Sequence, residues 1–113
     1  MEKEPLLTGQ IDMLLLAVIA RAPAHGYAII EQLRLRSRGA FDLPEGTIYP
    51  ALYRLERLGL LKSAEQKVAG RTRRVYRLTA AGLEALRERE ESWSRLVRSV
   101  AAVLREGPAT GHA

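Results

Sequence analysis

The chain has 113 residues, a hydrophobic fraction of 47% and a net charge of +5, enough apolar material for one small globular domain. It holds no cysteine, which excludes disulfides, thiolate nucleophiles and thiolate metal sites. Its only histidines are His25 and His112, and no nucleophile–base set or glycine-rich phosphate loop accompanies them, so neither a metal centre nor an enzyme is expected.

In chain order, Met1–Pro5 reads as a loose leader. A helix is predicted from Thr8, which can cap it, to about Arg21, with Pro23 ending it. Within it Met13–Ala20 is apolar nearly all round, too short to span a bilayer and preceded by Glu2, Glu4 and Asp12 against Lys3 alone. Neither a membrane helix nor a signal peptide is therefore expected, and the protein is assigned to the cytoplasm. A helix apolar on every side needs cover on every side, which predicts a subunit interface that includes Leu15.

His25-Gly26-Tyr27 opens a second helix to about Ser37, stopped by Arg38-Gly39. His25 reads as a helix-start residue rather than a ligand. A third helix begins near Pro44, with Glu45 at its positive end, and closes at Gly59. Pro50 lies inside it. Either the helix continues through Pro50 with distorted early turns, or it begins there. Residues 60–68 and 73–78 read as two strands joined by a turn at 69–72. Thr79 then caps a long helix to about Glu106, whose apolar positions Leu83, Leu86, Trp93, Val97, Val100 and Leu104 step by threes and fours. Such a stripe predicts a partner helix, with Leu86, Trp93, Val97, Val100 and Leu104 at the interface. Gly107–Ala113 has the composition of a disordered tail. The expected organisation is a DNA-binding domain over 1–79, a dimerisation helix over 80–106 and a tail over 107–113. The fold class is mainly α with a small β-hairpin: a winged helix-turn-helix with a long C-terminal helix.

Charge is concentrated. Residues 54–77 hold eight basic and two acidic side chains, a local charge of +6, while the remainder holds ten basic and eleven acidic groups, or −1. A block of one sign points to a polyanion. On a helical wheel Ile48, Ala51, Leu52, Leu55 and Leu58 share one side of the third helix, and Gly46, Pro50, Tyr53 and Arg57 the other, flanked by Thr47, Tyr49 and Arg54. In a helix-turn-helix that outward side enters the major groove. Thr47, Tyr49, Pro50, Tyr53 and Arg54 are thus predicted to face double-stranded DNA, and Arg71, Arg73 and Arg74 of the wing to follow its backbone or enter the minor groove. The competing account has the tyrosines packed on the wing and the chain serving as a winged-helix protein-interaction module without specific readout of DNA.

Together, HGY at 25–27, EGTIYPALYRLERLGLL at 45–61 and GRTRRVYRLTAAG at 70–82 resemble the PadR family of bacterial transcriptional regulators. The likeness covers roughly residues 10–85, differs at Pro44, where members often carry a capping Ser or Asn, and is similar to the short subfamily with one C-terminal helix. It implies a homodimer, an inverted-repeat operator and repression relieved by a small molecule. The resemblance sets Thr47, Tyr49 and Pro50 on the recognition helix and Arg71, Arg73 and Arg74 on the wing. It also marks Trp93 as a residue that stacks on flat aromatic effectors, against plain packing at the dimer interface. No cofactor is implied.

Overall fold

The computed structural model describes residues 6–105 and residue 107; the expected leader and all of the expected tail but Gly107 lie outside them. The elements are α1 (Thr8–Arg21), β1 (Ala24–His25), α2 (Gly26–Arg36), α3 (Glu45–Arg57), β2 (Leu61–Val68), β3 (Arg71–Leu78) and α4 (Ala80–Arg105). Three helices, a β-ribbon and a long helix form the winged helix-turn-helix arrangement that the pattern predicts. Three local expectations need correction. Thr8 is the first helical residue of α1 rather than its cap: the cap position is Leu7, whose N–H donates to Gln10 Oε1 at 2.9 Å. The sheet has three strands, because Ala24 and His25 pair with Tyr76 and Val75 in the order β1-β3-β2. Two residues carry too little pattern to be seen in a sequence. Finally, the hairpin turn is two residues, not four. Ala69 and Gly70 both take positive φ (51° and 79°), the conformation that matches strand twist, and β3 begins at Arg71.

The core gathers Leu15, Leu16 and Ile19 of α1, Ile29 and Leu33 of α2, Ile48, Leu52 and Leu55 of α3, Leu61 and Tyr76 of the sheet, and Leu86 of α4. This overturns part of the interface expectation. Leu15 and Leu86 are 0% and 4% exposed within one protomer, so neither is available to a second copy. α2, α3, β3 and α4 pack against α1 and cover most of its apolar surface, while Ile11, Met13, Leu14 and Ala17 stay partly exposed. Leu58, placed by the wheel on the apolar side of α3, is 59% exposed because it lies at the C-cap, where the chain has turned out of the helix.

Thr79 fixes the start of α4 in two directions. Its hydroxyl donates to the Gly59 carbonyl at 2.7 Å and accepts from the Gly82 N–H at 2.9 Å. Gly82 is required by space, since a Cβ there would come within 2.1 Å of the Leu60 carbonyl oxygen. That seat locks the base of α4 to the loop behind α3. Beyond residue 90, by contrast, every described side chain of α4 except Ala101 is exposed, and the molecule is 68 Å long.

Candidate nucleic-acid interface

α3 runs without interruption through Pro50, which decides between the two readings of this stretch. Pro44 is the cap residue in extended conformation, and its carbonyl accepts from the N–H groups of Thr47 (2.9 Å) and Ile48 (3.1 Å). Because Pro50 has no N–H, the Gly46 carbonyl receives no helical bond from it. Both residues are exposed, so the unmatched carbonyl meets solvent rather than core. The inward side of α3 is fully committed: Ile48, Leu52 and Leu55 are 0% exposed and Ala51 3%. The outward side presents Gly46, Pro50, Tyr53 and Arg57, with Tyr53 at 68% exposure.

Tyr49 is only partly outward. It is 40% exposed, and its ring lies so close to the start of α2 that a Cβ on Gly26 would come within 2.3 Å of its hydroxyl oxygen. Burial first, then Glu45 and Tyr27, push its hydroxyl above the ordinary tyrosine value, with Arg73 pulling the other way. The phenol therefore stays protonated and can donate.

The arginines separate by role. Arg54 pairs with Asp12, whose side chain is 8% exposed, and ties α3 to α1. It is a structural cation, which no local pattern reveals because its partner is 42 residues away. Arg74 belongs to a second network: its Nη1 donates to Ser63 Oγ at 3.0 Å, Ser63 Oγ donates to Glu56 Oε2 at 2.7 Å, and Glu65 lies 3.7 Å from its other nitrogen. This chain joins the wing to the end of α3. Arg71 and Arg73 share the opposite face of β3, since side chains alternate along a strand. Arg71 is exposed beside the turn, and Arg73 lies over the Tyr27 ring, 5.5 Å from its centroid.

His25 caps α2, as expected, with its Nδ1 accepting from the Ala28 N–H at 3.4 Å. Burial, then the nearby Arg73 charge, hold its imidazole below the usual value. Asp12, Gly26 and Tyr27 are the residues around this interface that the sequence reading did not single out. Only the HGY motif itself hinted at the last two.

Residues 15–88 match the Transcriptional regulator PadR-like family, over more than half of the chain. The protein belongs to the PadR family. It is 45% identical over 76 residues to the transcriptional regulator Rv3488 of Mycobacterium tuberculosis, covering 67% of this chain and 68% of that one. Among solved structures it is similar to smu.1704 of Streptococcus mutans, with a TM-score of 0.83, 28% identity and coverage of 98% and 100%. A PadR family transcriptional regulator of Eggerthella lenta gives 0.75, at 36% identity over 85% of this chain and 82% of that one. The family and the winged-helix geometry make this PadR protein a DNA-binding transcriptional regulator. Among the described residues no cluster of His, Cys, Asp or Glu could hold a metal ion, and no helix is long and apolar enough to cross a membrane.

A separate feature lies on α4. Trp93, Leu96, Val97, Val100, Val103 and Leu104 leave a broad apolar face exposed, with Val103 and Leu104 above 70%. Leu96 and Val103 widen the stripe beyond the positions expected. Beside it the start of α1 and the middle of α4 enclose an open groove of about 370 Å³, lined by Leu7, Met13, Arg89, Trp93 and Leu96.

Proposed function

We propose that this PadR protein is a cytoplasmic homodimeric repressor that binds an inverted-repeat operator. The observation that carries the reading is the outward side of α3: Pro50 and Tyr53 stand clear of a fully packed inner side, Thr47 and Tyr49 are partly exposed beside them, and Arg71 and Arg73 lie on the adjoining wing. Thr47 and the tyrosines contact base edges or phosphates in the major groove, and the free N–H groups of the first turn of α3 hold a phosphate. Arg71 and Arg73 add sequence-independent affinity along the backbone. Arg54 and Arg74 are occupied inside the protomer and act on DNA only by supporting the elements that do. Two copies join through the apolar face of α4, and their twofold symmetry sets two half-sites about 10 base pairs apart. A flat aromatic effector stacking on Trp93 in the groove beside α1 would shift that pairing and release the operator.

Footprinting on the DNA flanking its own coding region, followed by titration of the protected duplex and a scrambled control, tests the reading. Protection of a palindrome is expected, together with affinity that falls steeply with salt. Tyr49→Phe, which removes one hydroxyl and keeps the ring, should then weaken specific binding about two- to tenfold. Equal, salt-insensitive binding to both duplexes would instead favour a protein-interaction module.

A further inference from the structure

The HGY triplet at 25–27 does three different things at one spot. His25 caps α2 through its Nδ1. Gly26 leaves the room that the Tyr49 ring fills, since any side chain there would overlap the ring. Tyr27, 58% exposed, lies under the Arg73 guanidinium. Side chains from α2, α3 and β3 thus meet in one patch, and the Tyr49 hydroxyl responds to both Tyr27 and Arg73. Among the described residues Arg73 forms no ion pair, whereas its neighbour Arg74 is held by Ser63 and Glu65.

We propose that Tyr27 is a positioning residue for DNA binding: its ring holds Arg73 at the start of α2, so that the wing arginine and the recognition helix meet DNA as one prealigned unit. The inference rests on the reading that α3 and the wing bind DNA. An arginine on a free β-ribbon has a long stem, and fixing that stem on a phosphate costs side-chain entropy. A ring against the face of the guanidinium restricts the stem beforehand and leaves the donors around its edge free, because a cation–π contact uses the face alone. Tyr49, seated on Gly26, brings α3 into the same arrangement. The phenol of Tyr27 is not needed for this; its ring is.

A mixed-sequence DNA duplex is a sufficient probe, since phosphate contacts carry no sequence information. Its affinity for the full chain would be measured across a salt series. Tyr27→Leu should bind about two- to fivefold more weakly with an unchanged salt slope, because Arg73 still reaches its phosphate but is no longer held. Tyr27→Phe should bind like wild type. Arg73→Ala should weaken binding further and lower the slope by about 1. The double variant Tyr27→Leu/Arg73→Ala should be no weaker than Arg73→Ala alone. NMR of the free protein should show the Arg73 side-chain protons shifted upfield by the Tyr27 ring, and the shift lost in Tyr27→Leu. Full affinity of Tyr27→Leu beside a weakened Arg73→Ala, additive losses in the double variant, or absence of the ring shift overturns the proposal. Loss in Tyr27→Phe equal to that in Tyr27→Leu also overturns it, by making the hydroxyl a DNA contact. If Arg71→Ala and Arg73→Ala both bind the duplex like wild type, it is the underlying reading of the wing that fails.

Discussion

Two residues show how single side chains here answer to neighbours far away in the chain. His25 keeps its ring below the ordinary value of 6.5, first through burial and then through Arg73. A folded-state value below the unfolded one means that the unfolded chain takes up the proton first. The stability from neutral His25 is therefore complete above 6.5 and is lost as pH falls below it. Thermal melting between about pH 7.5 and 5.5 should show a decline in the wild type that His25→Asn flattens, since asparagine also caps a helix but does not titrate. Arg54 answers to Asp12. Removing the arginine leaves a carboxylate with 8% side-chain exposure unpaired, while the arginine itself is 34% exposed and partly screened. Arg54→Ala should destabilise by about 1–3 kcal/mol, less than for a fully buried pair, and by clearly less in an Asp12→Asn background. Denaturant melts of the four proteins in that cycle check it. Equal losses in both backgrounds would mean that the pair contributes nothing.

At the scale of elements, the wing is a two-faced ribbon whose faces have different tasks. Alternation along β3 puts Arg74 with Ser63, Glu56 and Glu65, and puts Arg71 and Arg73 on the other side. Arg71→Ala should reduce the slope of log affinity against log salt by about 1 and leave melting unchanged. Arg74→Ala should do the reverse, lowering the melting temperature through the lost bond to Ser63 while the slope holds. Both are read from one salt titration and one melt per variant. The period of α3 made its inner and outer sides legible in advance, since Ile48, Ala51, Leu52 and Leu55 fall on one stripe. Its course through Pro50 was not legible. A proline within a helical pattern is compatible with a break or a continuation, and only the packing of Ile48 in the turn before it, in the same core as Leu52, decides for continuation.

For the whole molecule, the lower half of α4 is stitched to the winged domain and the upper half is bare. Helix α4 has 26 residues, about 39 Å at the standard rise, and among the described residues its large apolar side chains from Trp93 to Leu104 are all left exposed within the protomer. An exposed apolar band of that length is uncommon on a monomer and marks a docking face. Val100→Asp should convert a dimer to a folded monomer, measured by sedimentation velocity with circular dichroism. The fold should survive because Val100 is 47% exposed and contributes little to the protomer core. A wild-type protein that sediments as a monomer at micromolar concentration would sink the dimer itself.

By itself the sequence determined the order of the four helices and the hairpin, the inner and outer sides of α3, the basic wing and the family, because each is carried by local period, turn chemistry or a contiguous motif. It also marked the apolar stripe of α4. Only the tertiary structure decided which apolar residues stay at home. Leu15 and Leu86 look no different in period from Val97 and Val100, yet the first two are enclosed by the protomer and the others are not. Only the structure, too, divided the arginines: Arg54 and Asp12 meet across 42 residues, and Arg73 finds Tyr27 because β1 pairs with β3. Periodicity reports the side of an element on which a residue lies. What stands against that side is set by how the elements are brought together, and no stretch of the chain contains it.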